Sequence, residues 1–248
     1  DARLALLLSQ KTSLDLTGTE EGLRSVLRSA PANINAMRNL WNMLQCVGRS
    51  REALALVNRS LAIAPFAAGS HYPKAQLLWI TGTTAEADRV VDKALQYWPS
   101  HPYVRFTRFT ILAFTGRALA ALAMLEREET RPQAFSPESL ALWRTTLRAL
   151  DGGASAQIDA ARAANLGQAL SNLSLCRQAA ISLCALGDVD AAFKVTNALF
   201  AVSPAKLTAP KSSVSSAAWR FAPWIFIPPT APMRADPRFD PLCEGIGL

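Results

Sequence analysis

Apolar side chains recur every three or four residues along most of this 248-residue chain, a spacing typical of amphipathic α-helices. Met37, Trp41 and Leu44 form one such stripe and predict a helix over residues 34–46. A second stripe predicts a helix over residues 50–63, and similar pairs of stripes follow. The pattern therefore predicts an all-α protein.

The predicted helix pairs repeat with a period of 34 residues. Three series of residues keep this spacing: Gly48, Gly82 and Gly116; Pro31, Pro65 and Pro99; Ala53, Ala87 and Ala121. The spacing returns between Gly153 and Gly187. Glycine lets the chain adopt the positive φ of a tight turn between two helices, and proline ends the second helix because it has no N–H. This period predicts an array of helix–turn–helix repeats.

The spacing and residue types resemble those of the tetratricopeptide repeat family over residues 1–204. The resemblance implies a right-handed α-solenoid of about 12–14 helices, closed by a C-terminal cap over residues 205–248. The units are 1–31, 34–65, 68–99, 102–133, 136–170 and 173–204. The chain departs from the family where a large aromatic residue is usual in the second helix, at Val57, Val91, Leu125 and Thr196.

Short motifs predict where individual helices begin. Residues 17–20 and 83–86 are capping boxes of the Thr-x-x-Glu type, in which the two side chains bond to exposed backbone N–H groups. Ser136 before Pro137 combines an N-cap with a proline at the first helical position. Asp240–Pro241 predicts a last short helix in the same way, and an alanine-rich stretch predicts a helix over 155–165.

The C-terminal residues differ in composition from the repeats. Residues 217–229 are rich in aromatic residues and proline, after a predicted helix over 212–221. The string from Met233 to Phe239, followed by a terminal Gly-Ile-Gly-Leu, is similar to the end of repeat arrays in bacterial winged-helix regulators and nucleotide cyclases. That resemblance implies a cap that buries Phe239 against the last helix, and an output domain on the N-terminal side of Asp1. The alternative is an exposed docking patch made by Trp219, Trp224, Phe226 and Phe239.

The net charge of +7 lies mainly in the first third of the chain. Between residues 22 and 85 there are seven cationic residues and one acidic residue, Glu52. Such a surface can hold an acidic peptide, a phosphate-bearing ligand or nucleic acid, or it can be a solvated helix surface without a partner. Nucleic acid is disfavoured because few aromatic residues for base stacking accompany these cations.

The sequence contains no motif for catalysis, a metal or a cofactor. It has no glycine-rich phosphate loop, no nucleophile elbow and no HExxH helix. Four cysteines without a CxxC pair and two histidines make a zinc site improbable, and the cysteines are expected to be small buried thiols. No apolar run is long enough to cross a bilayer. We expect a non-enzymatic protein with free thiols, in the cytoplasm or alternatively in the periplasm.

The family resemblance also implies a concave groove lined by the first helix of each unit, where peptides bind. Helical spacing assigns to it four positions of the repeat, the second, fifth, ninth and twelfth, which lie three or four residues apart on one face. The candidate residues are Asn35, Arg38, Asn42 and Gln45; Tyr72 and Gln76; Tyr103, Phe106 and Thr110. Arg38 could bind a carboxylate in a bidentate manner. We expect a protein- or peptide-binding module, or alternatively the regulatory region of a larger bacterial signalling protein.

Overall fold

The computed structural model describes residues 16–132, 135–201 and 222–248. Its helices are α1 (Leu16–Ser29), α2 (Ile34–Cys46), α3 (Ser50–Ile63), α4 (Ala68–Ile80), α5 (Thr84–Tyr97), α6 (Pro102–Ala113), α7 (Ala118–Glu126), α8 (Pro137–Leu150), α9 (Ser155–Ser171), α10 (Cys176–Ala185), α11 (Val189–Ala201), α12 (Ala231–Arg234) and α13 (Phe239–Gly245). Three 3₁₀ turns accompany them, at Leu173–Leu175, Pro223–Phe226 and Pro228–Thr230. The predicted helix over 212–221, which includes Trp219, lies outside the described residues.

The helices pack in the order of the chain, each against the next. The pairs α2–α3, α4–α5, α6–α7, α8–α9 and α10–α11 are antiparallel neighbours, and the second helix of a pair also contacts the first helix of the following pair. Ala53, Ala87 and Ala121 are completely buried. Their short side chains let neighbouring helices approach closely. The predicted all-α solenoid is confirmed.

A glycine with positive φ makes the turn inside each pair. Gly48, Gly82, Gly116 and Gly187 have φ between 73° and 92°, a region that side chains with a Cβ rarely adopt. In the fourth turn the left-handed residue is Gly152, with φ 76°, although the 34-residue spacing points to the residue after it.

Gly153 is small for another reason. A Cβ on this residue would lie 2.9 Å from Cα of Ala149, so it is close approach to the end of α8 that requires glycine there.

Several predicted helix boundaries agree with the structure. The predicted helices over 34–46 and 50–63 have the bounds of α2 and α3. The start of α8 is confirmed as well, since Ser136 Oγ accepts a hydrogen bond from the backbone N–H of Ser139 at 3.2 Å.

Both predicted capping boxes are wrong. Residues 17–20 lie inside α1, and the Glu20 carboxylate is bonded by Arg24 and Arg49. Thr83 donates its hydroxyl hydrogen to the carbonyl oxygen of Leu78 at 2.9 Å, and it does not cap α5.

Two further predicted boundaries are displaced. Helix α9 continues six residues beyond the predicted 155–165, because no strong helix breaker precedes Asn172. Helix α13 begins at Phe239, one residue before the predicted N-cap. The Asp236 carboxylate accepts a bond from the Arg238 backbone N–H at 2.9 Å and so starts the turn earlier.

The last described residues, 222–248, form a segment that we call the C-terminal segment. Its 3₁₀ turns and α12 contact α2 near the start of the array and α10 and α11 at its end. The Phe226 ring lies against Gly48, and Trp224 stacks on Phe200 with ring centroids 6.3 Å apart. Ile225 and Met233 are completely buried. The segment therefore contacts α2 and shares one apolar core with α4, α10 and α11.

Hydrogen bonds from buried groups hold the C-terminal segment in shape. Thr230 is completely buried, and its hydroxyl lies 2.8–3.3 Å from the carbonyl oxygens of Trp224, Ile225 and Ile227. Arg234 Nη1 donates to the carbonyls of Ile225 and Ile227 at 2.7 and 2.9 Å. These bonds satisfy backbone carbonyl groups that would otherwise be buried without a hydrogen-bond donor.

Candidate functional site

The first helices of the units, α2, α4 and α6, carry the residues that the sequence assigns to a groove. On α2, Asn35, Arg38 and Asn42 are exposed. They lie three or four residues apart, so helical geometry places them on one face, while Met37, Trp41 and Leu44 of the opposite stripe are buried. The polar face of α2 is therefore open to solvent along most of its length.

Arg38, Tyr72 and Tyr103 form a continuous row across the three helices. A Cβ on Gly69 of α4 would lie 3.9 Å from Arg38 Nη2, so the guanidinium reaches α4. Tyr72 stacks on Tyr103 of α6 with ring centroids 5.2 Å apart and an interplanar angle of 21°. Within the described part of the chain, Arg38 has no hydrogen bond and no ion pair. We call these three residues the Arg38 row.

The electrostatics of Tyr72 reflect the same arrangement. Burial raises the pKa of the Tyr72 phenol, Tyr103 raises it further, and Arg38 opposes both effects. The phenol therefore stays protonated and can donate a hydrogen bond to a ligand. The aromatic part of the row combines apolar faces with polar edges, as is common where proteins bind peptides.

The other candidate residues on α4 and α6 have more restricted environments. Gln76 is half-buried. Phe106 packs against Phe109 and Phe135, with centroids 6.4 and 6.0 Å away. Thr110 donates its hydroxyl hydrogen to the Phe106 carbonyl at 2.7 Å, so its donor is used within α6. Phe106 and Thr110 therefore shape the end of the surface and offer a ligand few hydrogen bonds.

Gln45, at the C-terminal end of α2, does not lie on the open surface. It is 9% exposed, and Trp79 at the equivalent end of α4 is 4% exposed. The C-terminal segment packs along these helix ends, where Phe226 meets Gly48. A ligand therefore has access to the N-terminal halves of the helices and not to Gln45.

Sequence reasoning missed an aromatic cluster beside the Arg38 row. Phe66 meets Tyr97 edge-on at 6.1 Å, Tyr97 lies 5.6 Å from Trp98, and Trp98 lies 5.2 Å from His71. Phe66 is 74% exposed and Tyr97 50% exposed. The available signal was position in the repeat, because these residues flank Pro65 and Pro99, which end successive units. In the row itself, Tyr103, at 60% exposure, and Tyr72 both lie beside His101, with ring centroids 6.1 and 5.9 Å away.

The cysteines lie mostly in the interior. Cys46, Cys176 and Cys184 are buried, and Cys243 is half-buried. Burial raises the pKa of Cys184 to about 12, so this thiol is protonated near neutral pH. Across 16–132, 135–201 and 222–248, no group of three or more metal-binding side chains could hold an ion. In the same ranges, no helix is both long and apolar enough to cross a membrane.

Comparison with known proteins supports the architecture. No protein-family profile matches the chain, and no curated protein sequence is significantly similar to it. Among solved structures, the chain is similar to a tetratricopeptide repeat protein from Parabacteroides merdae, with a TM-score of 0.53 and 16% sequence identity. The match covers 90% of this chain and 82% of that one. At this identity the likeness establishes a shared tetratricopeptide-like fold.

Proposed function

We propose that this protein is a non-catalytic module that binds a peptide or a segment of another protein along the N-terminal halves of α2, α4 and α6. The observation that carries the proposal is the Arg38 row, in which an arginine with no hydrogen bond or ion pair among the described residues lies next to two stacked tyrosines. Arrays of helical repeats bind through extended surfaces of this kind.

The chemistry of the row defines the ligand. The Arg38 guanidinium can form two parallel hydrogen bonds with a carboxylate, either an acidic side chain or a C-terminal carboxyl group. The faces of Tyr72 and Tyr103 suit an apolar or aromatic side chain two or three residues away. We therefore expect a short peptide that carries an acidic group next to an apolar residue.

A peptide library provides the direct test. Each peptide is presented once with a free C-terminal carboxylate and once as the amide, and binding is measured for the wild type, Arg38→Ala, Tyr72→Ala and Arg89→Ala. Arg89 is an exposed arginine on α5, away from the proposed surface, and serves as the matched control. We expect wild type and Arg89→Ala to bind the same acidic peptides. Arg38→Ala should lose about 1.5–3 kcal/mol, the range for a hydrogen bond to a charged group.

The contribution of the tyrosines is tested in the same experiment. Tyr72→Ala should weaken peptides with an apolar residue more than peptides without one. Equal binding of wild type, Arg38→Ala and Tyr72→Ala to every peptide would remove this surface from the proposal. The circular dichroism of each variant shows whether the fold is intact.

A second candidate is a regulatory region in a larger bacterial signalling protein, with its output domain on the N-terminal side. It is favoured by the resemblance of residues 233–248 to the ends of such arrays, and by the contacts of the C-terminal segment with both α2 and α11. Through these contacts a ligand on the array could alter the position of α1. The coding DNA upstream of the Asp1 codon distinguishes the two candidates, since a winged-helix or cyclase domain there supports regulation and an immediate start codon contradicts it.

A further inference from the structure

A separate cavity lies where the C-terminal segment meets the first two complete helix pairs. Its volume is about 580 Å³. The lining residues are Val47, Gly48, Arg49, Ser50, Arg51, Glu52, Ile80, Thr81, Phe226 and Arg234. Three elements therefore contribute: the turn and first residues of α3, the end of α4, and the C-terminal segment. The residues of the Arg38 row are not among them.

Two of the cations around this cavity have no anionic partner among the described residues. Arg49 is neutralised, because it bonds Glu52 at 2.7 Å and Glu20 at 2.7 Å. Arg51 is exposed and forms no ion pair. Arg234 uses Nη1 to bond carbonyl oxygens and Thr230, which leaves its Nε and Nη2 hydrogens for a ligand. The cavity thus carries an excess of positive charge.

The environment of Arg234 favours a counter-ion. Burial lowers the pKa of its guanidinium, as expected for a cation removed from water without a carboxylate beside it. Cys184 is its electrostatic neighbour, but burial raises the pKa of that thiol to about 12, so it supplies no negative charge. An anion in the cavity would compensate Arg234.

Helix α3 directs further donors to the same place. The first backbone N–H groups of a helix have no acceptor within the helix, and Arg49 at the N-cap supplies none from its side chain. Ser50 is only 7% exposed and lines the cavity, yet its hydroxyl has no hydrogen-bond partner in the described chain. This hydroxyl is therefore available to donate a hydrogen bond to a ligand in the cavity.

We propose that this cavity binds a small phosphate-bearing molecule. Arg51, Arg234, the Ser50 hydroxyl and the N-terminus of α3 together provide the donors that a phosphate group requires. Val47, Ile80 and Phe226 form an apolar wall on the same cavity. The ligand class that fits both walls is a phosphate monoester with an apolar or aromatic substituent.

Titration calorimetry with two probes, phenyl phosphate and inorganic phosphate, tests the proposal, with sodium chloride holding the ionic strength constant. We expect saturable binding of both probes, and tighter binding of phenyl phosphate because of the apolar wall. Acetate serves as the monocarboxylate control and should bind at least about tenfold more weakly than phosphate, since it fills fewer donors. Saturable binding of acetate as tight as that of phosphate would contradict the assignment to phosphate.

Arg51→Gln is the decisive variant, since Arg51 is exposed and has no partner in the part of the chain that the structure describes, so its loss should leave the fold unchanged. Losing one charged hydrogen-bond donor should weaken phosphate binding about tenfold or more. Arg89→Gln removes an exposed arginine at a distance and should bind like the wild type. Absence of saturable phosphate binding by the wild type, or equal affinity of Arg51→Gln and wild type, would overturn the proposal. If phenyl phosphate binds no more tightly than inorganic phosphate, the apolar substituent is not part of the ligand class.

Discussion

At the scale of single residues, two glycines with similar backbone conformations lie in different surroundings. Gly48 and Gly82 both have positive φ, at 75° and 92°. A Cβ on Gly48 would lie 2.7 Å from Cδ1 of Phe226, whereas a Cβ on Gly82 would have no atom within 4 Å. The first glycine therefore satisfies both a turn and a contact with the C-terminal segment, and the second satisfies the turn alone.

The comparison of Gly48→Ala with Gly82→Ala separates these two requirements. Each substitution should lower the free energy of unfolding by about 1–2 kcal/mol, because alanine is strained in the left-handed region. Gly48→Ala should lose about 1–3 kcal/mol more, because the new methyl group displaces the Phe226 ring. Urea unfolding followed by circular dichroism measures both values. Equal losses would mean that the Phe226 contact contributes nothing to stability.

The ion cluster of Glu20, Arg24, Arg49 and Glu52 predicts a dependence of stability on pH. Partial burial opposes ionisation of Glu20, but bonds from Arg24 and Arg49 outweigh it and lower its pKa below the ordinary 4.5. The Arg49 bond likewise lowers the pKa of Glu52. With folded-state values below the unfolded ones, their stabilisation is complete above about 4.5 and is lost as the pH falls through the lowered values.

Arg49→Gln tests this assignment. We expect the melting temperature of the wild type to fall more than that of the variant when the pH is lowered from about 6 to about 3. The difference should correspond to about 1 kcal/mol or less, because solvent and salt screen these partly exposed groups. Parallel acid curves for the two proteins would show that the cluster does not stabilise the fold.

At the scale of helices, the period of the sequence was sufficient for the order and pairing of elements but not for all their ends. The bounds of α2 and α3 follow from apolar stripes enclosed by Gly48 and Pro65. The capping box at Glu20 failed because this carboxylate accepts bonds from Arg24 and from Arg49, 29 residues away, which a local motif cannot indicate. The box at Thr83 failed because its hydroxyl donates to the Leu78 carbonyl across the preceding turn. In the candidate site, exposure of Arg38 was predictable from helical spacing, whereas burial of Gln45 depends on a distant segment.

Helices α8 and α9 are joined by a buried polar contact in an otherwise apolar interface. Asn165 Nδ2 donates to Thr146 Oγ1 at 3.0 Å, and both residues are completely buried. Asn165→Ala should lower the unfolding free energy by about 1–3 kcal/mol, since the Thr146 hydroxyl loses its partner. In a double-mutant cycle, adding Thr146→Val to Asn165→Ala should lose less than the sum of the single changes. Strict additivity would contradict direct coupling.

At the scale of the whole molecule, the C-terminal segment determines how the array behaves. An open solenoid is stabilised by contacts between neighbouring repeats only. Here Ile225 is completely buried in a core that includes residues of α4, α10 and α11. With its contact to α2, the segment therefore couples the early helices α2 and α4 to α10 and α11, and we expect them to unfold together.

Ile225→Ala should reveal this coupling. Truncating a large aliphatic side chain to alanine at a fully buried position lowers the free energy of unfolding by about 2–5 kcal/mol. Ile63→Ala is the matched control, because Ile63 is 44% exposed and its loss should change stability by no more than about 0.5 kcal/mol. Hydrogen exchange should show faster opening in both α2 and α10 of Ile225→Ala. Faster exchange in α10 alone would mean that the two ends are independent.

The contact between Phe226 and Gly48 also has a consequence for synthesis of the chain. The two residues are about 180 positions apart, and ribosomes add roughly 5–20 residues per second, so Gly48 emerges on the order of ten to forty seconds before Phe226. During that interval the ends of α2 and α4 leave the ribosome with an apolar surface that nothing yet covers. The nascent protein is then most exposed to chaperones and to aggregation, and this part of the structure is complete only after the C-terminal segment has been translated.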